Sequence, residues 1–265
     1  MGMDLVSLVS TRIVSALLLG ALTLVFGRGT VVASQLAVEG QPTPATAHLI
    51  VQFCHQATDL APIGASDFQI AVIGDSLAQG YGTSIPTQCG FAFQLPMQLP
   101  FALQFSRHLA LTVSALGGQR VDQMAPYAPT IAASHPDLAV VELGTNDERE
   151  STALATTQSS YDLILQTISH ATGTALAHPI IACLSIWPTP GYDNAAQLAP
   201  YNTIIQAECA KYNGVYVDIT TIAQIKNATS LTKFTQNWHP NDYGAVLIAH
   251  QIAATVNEQQ RFVTR

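Results

Sequence analysis

Short apolar segments alternate with helix-like segments along this chain, and that alternation restricts the fold more than any other feature of the sequence. Five segments have the length and composition of buried strands: Gln69–Ile73, Leu109–Ala115, Leu138–Leu143, Ile180–Leu184 and Val215–Val217. Continuous apolar runs of this kind are typical of parallel strands that are covered on both faces. The pattern predicts a three-layer α/β/α domain around a five-stranded parallel sheet, with a flavodoxin-like layout.

The segments between the predicted strands carry helical signals. Apolar residues recur at helical spacing in Ser151–Ala171 and Gln197–Tyr212, and a last helix is predicted over Tyr243–Asn257 with Asp242 as its N-cap. Residues 121–134 also favour a helix, which two prolines interrupt at 126 and 129. These helices would cover the faces of the sheet.

The N-terminal segment resembles an export signal. Arg12 precedes the apolar run Ile13–Phe26, which has the length of a signal-peptide core and is short for a membrane span, and Val31–Ala33 supplies small residues for cleavage. We expect residues 1–34 to be a signal peptide, with an uncleaved membrane anchor as the alternative. Residues 35–66 are then a linker and lead-in, and 67–265 form the folded domain. The protein is expected to be secreted or extracytoplasmic.

Charge argues against several classes of partner. The net charge is −7, and charged residues make up 10% of the chain. Because no basic stripe is present to replace the counterions of a phosphate backbone, we expect no nucleic-acid partner. A membrane partner is expected only if the N-terminal segment stays uncleaved. No Cys/His spacing suggests a zinc site, so neither a metal nor an organic cofactor is expected.

Four cysteines allow three disulfide pairings in an oxidising compartment. Cys54 and Cys89 fall in loop-like segments on either side of the first strand, which favours their pairing. Cys183 ends a predicted strand and Cys209 lies in a predicted helix, and we interpret these two as buried thiols.

Polar and glycine-rich segments follow the first three predicted strands, and one more precedes the last helix. They are Gly74-Asp75-Ser76-Leu77, Gly118, Gly144-Thr145-Asn146-Asp147 and Trp238-His239-Pro240-Asn241-Asp242. Because the carboxyl ends of parallel strands meet at one edge of a sheet, these segments are expected to converge. Their order and spacing resemble the SGNH (GDSL-type) esterases and lipases, and the similarity covers about residues 68–258.

The resemblance implies roles for four residues. Ser76 would attack an acyl carbonyl, and His239 would take its proton. The backbone N–H groups of Ser76 and Gly118, together with the Asn146 side chain, would hold the oxyanion. These roles are chemically reasonable, since a serine hydroxyl needs a neighbouring base and a tetrahedral intermediate needs preplaced donors.

Other residues around these four have less specific interpretations. Asp75 and Asp147 are expected to brace backbone turns rather than react. Trp187 and Tyr192 either line a substrate cleft or pack in the core.

Position 236 departs from the family pattern. The family usually has an aspartate three residues before the catalytic histidine, and this chain has Gln236 there. In the serine proteases, replacing the triad acid by its amide lowers turnover about 10⁴-fold. Three alternatives remain open. A Ser76–His239 dyad could work with Gln236 or a backbone carbonyl as the orienting group. Asp242 or Asp218 could replace the missing acid, or the protein could be a weakened relative that only binds its ligand.

The sequence therefore predicts an exported serine esterase or acylhydrolase for a small-molecule, polysaccharide or lipid ester. No Gly-x-Ser-x-Gly segment surrounds Ser76, which argues against an α/β-hydrolase nucleophile elbow. The alternative function is a catalytically weakened, extracytoplasmic ligand-binding module on the same fold.

Overall fold

A computed structural model describes residues 22–26, 29–33, 66–100, 103, 107–188, 195–225, 228–229 and 238–259. The chain divides into two units, Met1–Thr43 and Pro44–Arg265. In the first unit, β1 (Leu22–Phe26) and β2 (Gly29–Ala33) form an antiparallel hairpin. This hairpin falls within the segment predicted to direct export or anchoring, and that role stays a prediction. No described helix is both long enough and apolar enough to cross a membrane.

The second unit contains a five-stranded parallel sheet, as predicted. Its strands are β3 (Ser66–Gly74), β4 (Arg107–Ala115), β5 (Leu138–Glu142), β6 (Ile180–Leu184) and β7 (Val215–Val217). They lie in the order β4-β3-β5-β6-β7, and all neighbouring pairs are parallel. This order is the flavodoxin-like one, in which the chain starts near the centre of the sheet and reverses direction once.

Eight helices are described, and those in the predicted helical segments have bounds close to the predicted ones. They are α1 (Pro86–Cys89), α2 (Phe91–Gln98), α3 (Val121–Met124), α4 (Ala128–Ala133), α5 (Thr145–Arg149), α6 (Leu154–Ser169), α7 (Ala195–Lys211) and α8 (Asp242–Glu258). The prolines at 126 and 129 each stand in the first turn of a short helical piece, where a missing N–H costs little. They divide residues 121–134 as predicted.

The two faces of the sheet bury separate apolar clusters. Along β3, Ile70 and Val72 point to one face, while Ala71 and Ile73 point to the other. Helices α2 and α8 cover the first face, and α3, α4, α6 and α7 cover the second. This alternation with a period of two residues produces the three layers. Both faces are thus occupied, and the carboxyl edge of the sheet is left for the polar segments.

The predicted N-cap of α8 is wrong. Asn241, not Asp242, caps the helix, and its side-chain oxygen accepts a hydrogen bond from the Gly244 N–H at 3.0 Å. The helix begins one residue earlier than predicted. Asp242 is therefore available to the loop after β3, where it accepts hydrogen bonds from Ser84.

The interpretation of Cys183 and Cys209 as buried thiols is also wrong. The two residues form a disulfide with a Cα–Cα distance of 6.1 Å. Cys183 on β6 faces the same apolar cluster as Cys209 on α7, so the fold brings the two together. Cys89 is also disulfide-bonded, and its predicted partner, Cys54, lies outside the described residues.

Candidate active site

The turn after β3 presents Ser76 at the carboxyl edge of the sheet. Backbone hydrogen bonds close this turn, from the Gln79 N–H to the Asp75 carbonyl at 3.0 Å and from the Tyr81 N–H to the Ser76 carbonyl at 2.9 Å. The Ser76 side chain is only partly buried. Its hydroxyl is therefore held in a fixed place and still reachable from outside.

His239 contacts the Ser76 hydroxyl directly. Its Nε2 lies 2.7 Å from Ser76 Oγ, which is hydrogen-bond distance. An edge-to-face contact with Tyr81, with ring centroids 5.0 Å apart, supports the imidazole. Gly82 has a φ of +94°, and a Cβ there would lie 2.6 Å from the His239 Cβ. The loop backbone thus packs directly against the histidine, which favours glycine at this position.

The segment before α8 fixes the histidine from the other side. The Trp187 indole Nε1 donates to the Trp238 carbonyl at 2.8 Å. Pro240 forms an isolated antiparallel bridge with Thr229. Trp187 is only 2% exposed, so it packs beneath the histidine segment and does not line an open cleft. The structure thus favours the packing alternative for Trp187, while Tyr192 lies outside the described residues.

The pKa of His239 is lowered from its ordinary value of 6.5 to about 4. Burial of the ring is the main cause, because burial penalises the charged form, and the positive charge of Arg149 adds to it. The imidazole is consequently neutral near pH 7. Only a neutral imidazole can accept the proton of a serine hydroxyl.

The backbone N–H groups of Ser76 and Gly118 both remain available. Neither makes a hydrogen bond to another described residue. Gly118 has a φ of +79°, and a Cβ there would meet no described atom within 4 Å. Glycine is therefore favoured here by its positive φ, and no described residue fills the position of a side chain.

Gly117 fixes the loop after β4 against the nucleophile. Its N–H donates to Gln79 Oε1 at 3.0 Å. A Cβ on Gly117 would lie 2.9 Å from that same oxygen and 3.5 Å from the Ser76 Cβ. The loop after β4 therefore lies directly against the Ser76 turn.

Asn146 is buried and fully engaged in hydrogen bonds. Its Nδ2 donates to Asp75 Oδ2 at 2.8 Å and to the Gln119 carbonyl at 3.0 Å. The amide has two hydrogens, so both already have acceptors. Donation to an oxyanion would have to share or replace the bond to Gln119.

Asp75 and Asp147 brace turns, as predicted. Asp75 accepts from the Leu77 N–H at 3.0 Å, and burial raises its pKa to about 6. Asp147 accepts from the Val121 N–H at 2.9 Å and from the Thr157 hydroxyl at 3.0 Å. Burial also raises the pKa of Asp147. These carboxylates connect the turn after β3 and helices α3, α5 and α6.

Glu142 is a site residue that the sequence analysis missed. It is the last residue of β5 and is 1% exposed. Its Oε2 accepts from the Ala78 N–H at 3.1 Å and from the Asp75 N–H at 3.3 Å. An acidic residue at the end of an otherwise apolar buried strand was the available signal.

The two carboxylates considered as replacements for the missing acid have other partners. Asp242 accepts from the backbone N–H and the hydroxyl of Ser84, each at 2.7 Å. Asp218 accepts from the Thr220 N–H at 2.8 Å and from the Ser185 hydroxyl at 3.3 Å. Each carboxylate therefore stabilises a loop. Gln236 lies outside the described residues.

No group of three or more His, Cys, Asp or Glu side chains in the described ranges could hold a metal ion. The site thus consists of Ser76 and His239 in contact, with backbone donors nearby and buried carboxyls behind them. A flavodoxin-like sheet with such a pair at its carboxyl edge is the fold and site of the SGNH hydrolases. Residues 72–247 match the model of the GDSL-like lipase/acylhydrolase family, and the chain belongs to that family. It is a hydrolase that acts on esters.

Several solved structures share the fold. TesA superposes with a TM-score of 0.57 at 17% identity, over 72% of this chain and 98% of TesA. The psychrotrophic esterase EstA from Pseudoalteromonas sp. superposes with a TM-score of 0.57 at 16% identity, over 73% of this chain and 99% of EstA. Est24, a carbohydrate acetylesterase from Sinorhizobium meliloti, superposes with a TM-score of 0.55 at 14% identity, over 73% of this chain and 100% of Est24. No curated protein matches the chain.

Proposed function

We propose that this protein is an exported serine esterase in which Ser76 is the nucleophile and His239 is the general base. The observation that carries the proposal is the 2.7 Å contact between His239 Nε2 and Ser76 Oγ. A serine hydroxyl becomes a useful nucleophile when a neutral imidazole accepts its proton at this distance. The depressed pKa of His239 keeps the imidazole neutral at physiological pH.

Acylation follows from the geometry. Ser76 Oγ attacks the ester carbonyl carbon while its proton passes to His239 Nε2. The carbonyl oxygen becomes an oxyanion, which the N–H groups of Ser76 and Gly118 stabilise. The Asn146 amide joins them by turning its hydrogen bond from the Gln119 carbonyl to the oxyanion. The intermediate then expels the alcohol, which takes the proton from His239. One preplaced donor of this kind is worth about 3 kcal/mol of transition-state stabilisation.

Deacylation repeats the sequence with water. His239 removes a proton from the water as its oxygen attacks the acyl-Ser76 ester. The intermediate releases the acid, and the proton returns to Ser76 Oγ. The net reaction consumes one ester and one water, and it yields one acid and one alcohol. The proposal needs neither a metal nor an organic cofactor.

We further propose that the base works as a dyad. Packing of Gly82, the ring contact with Tyr81 and the support of the preceding segment by Trp187 all help to orient the imidazole. Gln236 is a further candidate for the orienting group.

The proposed substrates are esters of short or medium acyl groups. A Cβ on Gly118 would meet no described atom within 4 Å, which leaves room for a small acyl group there. The exposed side chain of Tyr81, which contacts His239, offers apolar surface beside the site. Est24 is described as a carbohydrate acetylesterase, and another solved structure is a two-domain esterase active on acetylated mannans. An acetylated polysaccharide, a lipid or a simple ester is therefore the proposed partner.

The proposed location is outside the cytoplasm. The disulfide between Cys183 and Cys209 and the disulfide-bonded state of Cys89 support this, because such bonds persist in oxidising compartments. The apolar run Ile13–Phe26 supports it independently.

Hydrolysis of p-nitrophenyl acetate and of longer p-nitrophenyl esters tests the proposal, with Ser76→Ala as the matched control. We expect activity that falls with acyl length and is lost in Ser76→Ala. If a folded wild-type protein shows no activity above the variant, the result would favour the ligand-binding alternative that Gln236 suggests.

A further inference from the structure

A pair of buried carboxyls lies directly behind the nucleophile turn. Asp75 is fully buried, and Glu142 is 1% exposed. The two residues are in contact, since Glu142 Oε2 lies 3.3 Å from the Asp75 backbone nitrogen. The ion pairs of the described residues involve other carboxyls, on Asp67, Asp122, Glu150, Asp162 and Glu208. Buried acids in contact without a cation share a proton, because two adjacent carboxylates repel each other strongly.

Glu142 fixes the backbone on both sides of Ser76. Its Oε2 accepts from the N–H of Asp75, the residue before the serine, at 3.3 Å. The same oxygen accepts from the N–H of Ala78, two residues after the serine, at 3.1 Å. Gly74 makes room for this contact, since a Cβ there would lie 2.8 Å from Glu142 Oε2. One side chain thus holds both ends of the nucleophile turn.

Asp75 connects the nucleophile turn to Asn146, one of the proposed oxyanion donors. Its Oδ2 accepts from Asn146 Nδ2 at 2.8 Å, and its Oδ1 accepts from the Leu77 N–H at 3.0 Å. A charged acceptor orients an amide more firmly than a neutral one. A hydrogen bond from Glu142 would stabilise that charge.

We propose that Glu142 is a positioning residue that holds the nucleophile turn through two amides and, as a neutral acid, donates its proton to Asp75. Asp75 then stays the carboxylate that orients Asn146. This inference rests on the proposed function, since it assigns Glu142 a part in building the esterase site.

The surroundings of Glu142 agree with a neutral acid. Burial and the negative charge of Asp75 both raise its pKa well above the ordinary value. Among the described residues, the other titratable groups that act on the pair are Asp147 on α5 and Tyr161 on α6, and neither supplies a positive charge. The proton therefore belongs on Glu142 and the negative charge on Asp75.

Two substitutions of Glu142 separate the parts of this proposal. In Glu142→Gln, the amide oxygen can accept from both backbone N–H groups and the NH₂ group can donate to Asp75. We expect its kcat to stay within about threefold of wild type, with the same pH profile, because the glutamine reproduces every hydrogen bond of a neutral acid. In Glu142→Leu, the nucleophile turn loses both bonds. We expect kcat to fall about 10²-fold with little change in KM, because misplaced reacting groups cost that much.

Infrared difference spectroscopy provides a readout that needs no catalysis. Wild type minus Glu142→Gln at neutral pH should show the carbonyl band of a protonated carboxylic acid. If that band is missing, or if Glu142→Gln loses as much kcat as Glu142→Leu, the neutral-acid assignment is overturned. Full kcat in Glu142→Leu would overturn the positioning role. Should the protein prove not to be an esterase, wild type and both variants would all lack activity while the infrared band would remain, so the two failures are distinguishable.

Discussion

The depressed pKa of His239 predicts how the stability of the protein depends on pH. The folded-state value is about 4, against 6.5 for an unperturbed histidine. Between these values the unfolded chain binds a proton at this position and the folded protein does not. The free energy of unfolding should therefore decrease as pH falls through this window, and the contribution of His239 is fully present only above the unfolded pKa.

The size of the effect follows from the two pKa values. At pH 5 the unfolded histidine is about 97% protonated, whereas the folded one, with a pKa of about 4, is about 9% protonated. Linkage then gives a loss of roughly 2 kcal/mol in the free energy of unfolding between pH 7 and pH 5 from this one residue. Other titrating groups, including Asp75, add their own contributions over the same range.

Urea unfolding at pH 7 and pH 5 measures the effect, with His239→Gln as the control. Contributions of other groups cancel in the comparison, provided that the substitution leaves their pKa values unchanged. We expect wild type to lose about 2 kcal/mol more than His239→Gln on acidification. Equal losses in the two proteins would show that His239 is not desolvated in the folded state, and the reasoning about its neutrality at pH 7 would fail.

Three further predictions concern the loops and the disulfide. Gly118→Ala should lower the free energy of unfolding by about 1–2 kcal/mol, measured by urea unfolding, because alanine is strained at a positive φ, and it should also lower kcat. Unchanged values of both would contradict the backbone role of this glycine. Gln236→Asp should raise the pKa of His239, measured by NMR titration, because a carboxylate favours the protonated imidazole. It should raise kcat much less than 10⁴-fold, and a rise near that size would mean that the wild-type base is poorly oriented. Replacing Cys183 and Cys209 by serine opens a loop with a sequence separation of 26 and should lower the free energy of unfolding by about 3.5 kcal/mol; no decrease in melting temperature would contradict the pairing.

Strand periodicity was sufficient to predict the architecture. The apolar runs ending near Ile73 and Leu143 are buried on both faces, and a run of that kind has few alternatives to a central parallel strand. Sheet order follows from short right-handed connections between such strands. The contact between Ser76 and His239 could be anticipated because both motifs stand at chain positions that reach the same edge.

What the sequence could not predict depends on contacts between distant segments. The role of Asp242 required knowing that Ser84 lies beside the start of α8, 158 residues away along the chain. In the sequence, Glu142 is only the last residue of a strand. Its role depends on the backbone N–H groups of Asp75 and Ala78 in the turn after β3, which the local sequence does not show. The disulfide between Cys183 and Cys209 likewise reflects the packing of α7 on β6, which local sequence does not contain.

Covalent labelling tests the central claim that Ser76 is an activated nucleophile. The purified protein would be incubated with a serine-directed phosphonate, and the adduct would be located by mass spectrometry of its peptides. We predict one adduct, on Ser76, absent in Ser76→Ala and formed much more slowly in His239→Gln. A folded wild-type protein that takes up no label, or that takes it up on another residue, would contradict the account.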